Sequence, residues 1–526
     1  MTASAESLTI LAFILPLVVG VLIPLFGEAQ RNLREAVTLV GALATFALVL
    51  GLISAVADGA RPEIVLVSVQ PDIALAFSVE PLGMVFAAVA SGLWIVNSVY
   101  SIGYMRGHDE PRQTGFYVCF AIAIVSALGI AFSANLVTLF LFYEILTIST
   151  YPLVTHKQDE KARRGGRIYL LLLLGTSMVL LLPAIVWTQV AAGTTAFTPG
   201  GVLAGKLSSF ELGVLLALFA FGIGKAALMP LHGWLPNAMV APTPVSALLH
   251  AVAVVKAGVF TLLKLVVFIF GPATLGADGV GDWLVYLAGA AIVVASLIAM
   301  TKDNLKARLA YSTVGQLSYI ILGAALASGA GLLGGALHIV THAFGKITLF
   351  MCAGAIYVAT GKTEISDMRG LGRAMPFTFA AFGIAALSLI GVPPLGGSWS
   401  KWLLAVGSAE AGHTFLIAAV MISSLLNVAY LLPIVVQGFY RFPGSSSVPS
   451  SGSGPGSGTP AKDGPPEAST GNDGGLLAGV REAPLFCVIP LVFTALGCVA
   501  LFFFSGDVVA FLEPSLAPAK EVGNGE

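Results

Sequence analysis

Five lysines and one glutamate lie inside long apolar stretches of this sequence, where a charged side chain is costly. They are Glu144, Lys225, Lys256, Lys264, Lys346 and Lys401. Charged residues within membrane-spanning segments are functional-site candidates by default, because each must be paired, neutralised or solvated. A Glu–Lys pair that can open and close is the favoured interpretation, and a static ion pair that locks two helices is the alternative. The chemistry that such groups support is proton transfer.

Histidines extend this set of titratable groups. His338, His342 and Lys346 are spaced by four residues, which places them on one stripe of a helix over roughly 12 Å. Three titratable groups on one stripe are typical of a proton relay. His250 and Lys256 extend the relay on a neighbouring span. A zinc site built from His338 and His342 is the weaker alternative, since no carboxylate or third histidine is evident nearby.

Two of the lysines accompany a break in their helix. Lys225 lies five residues before Pro230, and Lys401 follows the segment GVPPLGG at 391–397. Proline removes a backbone donor and opens a helix, and discontinuous helices beside a charge mark ion paths in many transporters. Lys264 lies nearer the end of its span, where we predict that it snorkels toward the interface.

The composition requires a membrane-embedded bundle to position these residues. Charged residues make up 10% of the 526 residues and hydrophobic residues 57%, whereas a soluble domain carries about 25% charged residues. These values exclude a soluble enzyme and a disordered chain. The apolar runs lack the alternation of an outer-membrane barrel, and the net charge of −1 provides no basic surface for nucleic acid. No residue pattern predicts a metal, cofactor, redox or hydrolytic site.

We predict an all-α polytopic membrane protein of about 14 transmembrane helices. The predicted spans are 8–26, 34–57, 82–104, 116–132, 135–154, 167–191, 211–232, 242–270, 282–301, 307–329, 333–360, 376–406, 413–440 and 485–505. Of the 26 basic residues, 18 fall in odd-numbered loops and three in even-numbered loops or termini. The positive-inside rule therefore predicts cytoplasmic odd loops, with both termini outside a bacterial-type inner (cytoplasmic) membrane.

The two broken spans are the seventh and the twelfth, and a shift of five spans reverses direction across the membrane. This relation predicts two inverted repeats, spans 4–8 and spans 9–13. The predicted domains are 1–110 with spans 1–3, 111–275 and 276–442 with the two repeats, 443–480 as a flexible Gly/Ser/Pro-rich cytoplasmic loop, and 481–526 with the final span and outer tail.

Five motifs together resemble the proton-translocating antiporter-like family. They are Glu144, KAALMPLHGWLPNAMVAPTPVSALLHAVAVVKAG from Lys225, KARLAYSTVGQLSY from Lys306, HIVTHAFGKITLF from His338 and GVPPLGGSWSKW from Gly391. The family includes the large membrane subunits of Mrp-type sodium/proton antiporters, of respiratory complex I and of membrane-bound hydrogenases. The resemblance covers roughly positions 80–440 and implies the same 14-helix core with two inverted repeats.

The resemblance also implies roles for the titratable residues. It implies that Glu144 pairs with Lys225 where protons enter, and that the relay ends at Lys401. The implied relay consists of Glu144, Lys225, His250, Lys256, His338, His342, Lys346 and Lys401. The implied partners are other membrane subunits, protons and Na⁺ or K⁺, with no cofactor in this chain.

Three functions use the same relay and stay open at this point. The first, which we favour, is the proton-translocating subunit of a multisubunit Na⁺/H⁺ antiporter. The length resembles that of the D-type Mrp subunit or of the shorter complex I members, and the stretches LPNAM and VKAG look more like the Mrp branch. The second is a proton-pumping subunit of a complex I-type NADH–quinone oxidoreductase or a membrane-bound hydrogenase. The third is a membrane anchor or proton channel for a soluble partner such as an inorganic-carbon uptake protein.

Overall fold

Helices form nearly all of the structure, a computed structural model that describes residues 2–70, 73–440 and 480–516. Ten helices in these ranges are long and apolar enough to cross a membrane. They are Thr2–Phe26, Arg31–Ala57, Pro81–Gly107, Gln113–Ala131, Leu136–Val154, Glu160–Ala192, Asp282–Met300, Gly329–Thr360, Phe415–Phe439 and Leu485–Leu516, which we number as spans 1–6, 9, 11, 13 and 14.

Four further segments complete the bundle, and three of them are interrupted. Span 7 is the helix Ser209–Gly222 followed by short turns to Val240. Span 8 runs through Thr243–Ala247, a π turn at Leu248–Val252, Val254–Leu265 and a second π turn at Val266–Phe270. Span 10 is Leu305–Ala325, and span 12 consists of Pro376–Ile390 and Gly397–Glu410. The predicted polytopic all-α fold and the breaks in spans 7 and 12 are confirmed.

Side-chain caps fix where several spans begin. Asn135 accepts a hydrogen bond from the Thr138 amide at 2.8 Å at the start of span 5. Ser208 and Glu211 form a reciprocal capping box at the start of span 7, with the Ser208 amide donating to the Glu211 carboxylate at 2.8 Å. The acidic group at the start of span 7 is thus accounted for by helix capping rather than by the relay.

An antiparallel hairpin between spans 2 and 3 was not predicted. Its strands are Glu63–Gln70 and Ile73–Ser78, and Glu63 pairs with Ser78. The first strand, EIVLVSVQ, is rich in β-branched residues, but both strands lie in a connection that the span count treats only as a loop. Backbone hydrogen bonds from Ser78 to Phe132 and from Ala134 to Ala76 tie the hairpin to the end of span 4.

Span 11 lies at the centre of the bundle, buried along almost its whole length and packed against spans 3, 10, 12 and 14. Several predicted boundaries were wrong. Span 6 begins at Glu160 rather than 167, because Asp159 caps it ahead of its basic first turns. Span 14 continues to Leu516 instead of ending at 505. The predicted 443–480 loop lies outside the described residues, apart from its last position.

Candidate proton relay

The break in span 7 docks Lys225 onto span 5. Lys225 lies in a short turn after the helix ends at Gly222 and is fully buried. Its ammonium donates to the Tyr143 carbonyl at 2.8 Å and to the Thr147 hydroxyl, and it lies 3.2 Å from the centroid of the Tyr143 ring. The backbone amide of Lys225 also donates to the Tyr143 hydroxyl at 3.1 Å. The cation is therefore satisfied by neutral groups of span 5.

Glu144, the next residue after Tyr143, does not contact Lys225 directly. No ammonium or guanidinium nitrogen of the described residues lies within 4.0 Å of its carboxylate, and neither carboxylate oxygen has a hydrogen-bond partner there. The charge of Lys225 acts on it through space. The structure thus brings the two predicted partners to one site and leaves a gap between them.

Span 8 crosses close to the broken segment of span 7 at Gly258. A Cβ atom at this position would collide with the amide nitrogen of Ala226 and the carbonyl carbon of Lys225. Only glycine permits this backbone approach. The contact lies two residues from Lys256, so it brings the segment that carries Lys225 next to the helix that carries the second buried lysine.

A second group of polar contacts follows the centre of the bundle. Lys256 hydrogen-bonds to Nδ1 of His342, whose ring stacks on that of His338 with centroids 5.8 Å apart and planes 5° from parallel. His338 Nδ1 bonds to the Ser400 hydroxyl at 2.9 Å, and its Nε2 bonds to Gln316 Oε1 at 3.0 Å. All five side chains are buried. The two histidines of the predicted stripe, His338 and His342, therefore contact side chains of spans 8, 10 and 12.

Lys346, the third member of the stripe, stands apart from these contacts. Its ammonium donates to the Leu309 carbonyl of span 10 at 3.1 Å. It interacts with Lys256 only through space, as a like charge. Lys346 thus lies one helical turn beyond the hydrogen-bonded histidines, and its ammonium is bound by a backbone carbonyl.

The break in span 12 positions Lys401 near the same centre. The first half of the span ends at Ile390, followed by Gly391 with a φ of +92°, and this end leaves backbone carbonyls without helical partners. The Lys401 ammonium accordingly donates to the Ile390 carbonyl at 3.0 Å and to the Ser424 hydroxyl of span 13 at 2.8 Å. It also borders a cavity of about 690 Å³ between spans 12 and 13.

Tyr319 of span 10 joins the histidines to Lys401. Its ring lies 5.4 Å from that of His338, and the Lys401 ammonium lies 4.9 Å from its centroid. Lys225 has the same relation to Tyr143 in span 5. In both cases the lysine beside the helix break lies over a tyrosine of the span two places earlier. Spans 5 and 10 are five apart, as are spans 7 and 12.

Sequence reasoning missed several uncharged members of this group and misplaced one lysine. Gln316, Tyr319 and Ser400 all contact predicted residues, and their signal was a polar side chain within an apolar span. Lys264 does not snorkel, which corrects the prediction. It is 1% exposed and forms an ion pair with Glu80 at 3.4 Å.

The remaining predicted features are His250 and a zinc site at His338 and His342. The side chain of His250 lies outside the described part of the structure. Both ring nitrogens of His338 are engaged by Ser400 and Gln316, so this ring offers no nitrogen to a zinc ion. The described residues contain no cluster of three or more His, Cys, Asp or Glu side chains suited to a metal.

A comparison with known protein families decides what kind of membrane protein this is. Residues 133–427 match the model described as the NADH:quinone oxidoreductase/Mrp antiporter transmembrane family. The chain belongs to this family. The matched residues include both helix breaks. They also include Lys225, Lys256, His338 and Lys401, together with the polar contacts that each of these side chains makes. It is thus a multi-pass membrane protein of the antiporter-like type.

Relatives in this antiporter-like family serve in different complexes. The chain is 29% identical to an NADH-quinone oxidoreductase subunit N of Desulforudis audaxviator over 82% of each chain. It is 30% identical to a Na(+)/H(+) antiporter subunit A1 of Staphylococcus haemolyticus, over 83% of this chain and 55% of that one. A chain in the structure of the Mrp complex from Dietzia sp. DQ12-45-1b has the same fold, with a TM-score of 0.82, 21% identity and coverage of 98% and 97%.

Proposed function

We propose that the chain is the proton-translocating subunit of a multisubunit monovalent cation/proton antiporter, with Na⁺ as the favoured cation. The observation that carries this proposal is the buried series of contacts from Lys256 through His342 to His338, which contacts Ser400 and, through the Tyr319 ring, lies near Lys401. Buried lysines and histidines that hydrogen-bond to one another are costly unless their protonation changes are used. The S. haemolyticus antiporter relative supports the choice of complex.

We call this series of contacts the central axis. The hydrogen-bond partners of each group indicate how a proton moves along it. Lys256 and His342 share a hydrogen bond, so a proton can move between them directly. The stacked rings of His342 and His338 face each other without a shared proton, so this step needs a water molecule or a ring rotation. His338 then hydrogen-bonds to the Ser400 hydroxyl. The next residue in the chain, Lys401, lines the cavity between spans 12 and 13.

The gap between Glu144 and Lys225 is the controlling element in this mechanism. At an effective dielectric constant near 20, closing the pair to about 4 Å would favour the ammonium form of Lys225 by about 4 kcal/mol, or about a thousandfold. In the open arrangement that stabilisation is weaker, because Glu144 acts on Lys225 only through space, and Lys225 is held by the Tyr143 carbonyl and the Thr147 hydroxyl. Opening the pair therefore releases the proton toward span 8, which touches this segment at Gly258.

The proposal extends to the internal repeats, the orientation in the membrane and the partner subunits. Residues 111–275 and 276–442 are two inverted repeats, supported by the matching lysine–tyrosine contacts in their broken spans. The odd-numbered loops face the cytoplasm of a bacterial-type cell, and both termini lie outside, as the distribution of basic residues predicts. Other membrane subunits complete the complex.

Removal of the first pair tests the proposal. Lys225→Met and Glu144→Gln in the intact complex should abolish proton transport in proteoliposomes while the complex still co-purifies. Glu211→Gln is a matched control, since it removes a carboxylate that serves only the capping box of span 7, and it should retain transport. Normal transport by an assembled Lys225→Met complex would rule out the assignment.

A second candidate function is the proton-pumping subunit of an NADH–quinone oxidoreductase-type complex. The D. audaxviator relative favours it, because that match covers 82% of both chains. The axis is the same in both cases, and the difference lies in what drives it. Purification of the native complex distinguishes them: small membrane subunits and cation-dependent proton flux support the antiporter, whereas co-purifying redox subunits and quinone-dependent flux support the oxidoreductase.

A further inference from the structure

A polar cavity of about 350 Å³ lies at the face of the bundle formed by the even-numbered loops. Its polar lining includes Arg61, Glu63, Ser78, Glu80, Ser133 and Lys264. These residues come from the hairpin, the starts of spans 3 and 5, and span 8, so several elements converge on the cavity. None of them belongs to the central axis described above. The charged groups that line it are Arg61, Glu63, Glu80 and Lys264.

An ion pair between Glu80 and Lys264 forms the inner wall of this cavity. The Lys264 ammonium lies 3.4 Å from Oε1 of Glu80 and donates to the Ser133 carbonyl at 2.8 Å. It also lies 4.6 Å from the centroid of the Phe197 ring. Glu80 is 14% exposed and Lys264 only 1%. Both side chains line the cavity, and the carboxylate is the more exposed member of the pair.

Helix capping explains Glu80 but does not explain Lys264. The Glu80 carboxylate accepts hydrogen bonds from the amides of Leu82 at 2.8 Å and Gly83 at 3.0 Å at the start of span 3. An Asp, Asn or Ser would cap equally well without a buried cation. Burying a lysine opposite the cap costs desolvation that its ion pair only partly offsets. A lysine at this depth thus calls for a further role.

The helix of span 8 connects this pair with the central axis. Lys264 and Lys256 are eight residues apart in the helix Val254–Leu265, a rise of about 12 Å. Residues spaced by eight lie on the same broad face of a helix. Between them, Thr261 carries a buried hydroxyl that has no hydrogen-bond partner among the residues that the structure describes. Span 8 therefore holds three polar side chains between the centre of the bundle and the cavity.

We propose that Glu80 and Lys264 form a proton port between the central axis and the face of the even-numbered loops. This inference rests on the proposed proton transport. In the outward direction, Lys264 transfers its proton to Glu80, which gives a neutral amine beside a carboxylic acid. Glu80 releases that proton to water in the cavity. The amine then takes the next proton arriving from the side of Lys256, and this step restores the ion pair.

The test compares Glu80→Asn with Glu80→Asp in the purified complex. Both side chains cap a helix equally well, and only Asp retains a titratable carboxylate. We expect Glu80→Asn to lower proton flux in proteoliposomes by about a hundredfold, the lower end of the loss typical of a removed acid–base group. Glu80→Asp should retain most of the flux. Glu63→Gln is the matched control, because Glu63 lines the same cavity without an ion pair to Lys264, and it should resemble the wild type.

Each outcome decides the proposal. Equal flux in wild type, Glu80→Asn and Glu80→Asp would overturn it while leaving the proposed function intact. An equal loss in both variants would mean that transport requires the length of the Glu80 side chain rather than its titratable carboxylate, and would also overturn it. If Glu80→Asn fails to assemble, Lys264→Met provides the second test, since it keeps the cap; wild-type flux in that variant would overturn the port. A wild-type complex that moves no protons would refute the proposed function itself.

Discussion

Gln316→Glu should trap a proton in the middle of the axis. Gln316 Oε1 lies 3.0 Å from Nε2 of His338, whose other nitrogen bonds to Ser400. In the wild type, the ring can be neutral or protonated and still keep both bonds, because Gln316 Oε1 accepts from Nε2–H in both forms and the Ser400 hydroxyl can either donate to Nδ1 or accept from it. A carboxylate in place of the amide would strongly favour the protonated ring.

The size of this trap follows from the distance. Two unit charges 3.0 Å apart attract by about 5.5 kcal/mol at an effective dielectric constant near 20, which is about four orders of magnitude in the protonation equilibrium. Burial of the new carboxylate offsets part of this attraction. Even half of it, about 2.7 kcal/mol, corresponds to a hundredfold preference for the proton-loaded site.

The assay is proton uptake into proteoliposomes containing the intact complex, followed with a pH-sensitive dye. Gln316→Glu should show less than a tenth of the wild-type rate at unchanged assembly. Gln316→Met is the control: it has a similar shape and loses a single hydrogen bond worth about 1 kcal/mol, so its rate should fall only about fivefold. A Gln316→Glu complex that transports as fast as wild type would mean that protons do not pass His338.

Two further predictions concern the packing that holds the relay. Gly258→Ala should lower the stability of the complex by an amount on the order of 1–3 kcal/mol, because the new methyl group collides with the backbone of the broken segment of span 7. Gly276→Ala is the control: the space around Gly276 is open, so this variant should have wild-type stability. Glu35→Gln should destabilise the complex by about 2 kcal/mol, since it removes the carboxylate shared by the buried Arg34 and its neighbour Arg106, while Arg34 keeps its ion pair with Glu28. Differential scanning fluorimetry of the purified complex measures both effects.

The charged members of the site were predictable because an apolar span makes each charge conspicuous. Lys225 and Lys401 were also marked by the helix breaks beside them, and the four-residue spacing of His338 and His342 placed both rings on one face. These signals are local in the chain. They required no knowledge of which spans are neighbours.

The other features of the site depend on packing between distant segments. The contact of Gln316 and Tyr319 with His338 depends on how spans 10 and 11 are rotated against each other. Lys264 was misjudged because its partner, Glu80, precedes it by more than 180 residues and lies in a different span. The gap between Glu144 and Lys225 likewise depends on the path of the backbone through the break, which the sequence pattern does not specify.

Proton transport by a Lys256→Met complex tests the central claim most directly. Lys256 connects span 8 to His342, so its removal interrupts the axis at the point where the two halves of the bundle meet. Methionine fills nearly the same space without a titratable group. We predict an assembled complex with no proton flux above that of empty liposomes. Flux at the wild-type rate would contradict a proton path through the buried axis.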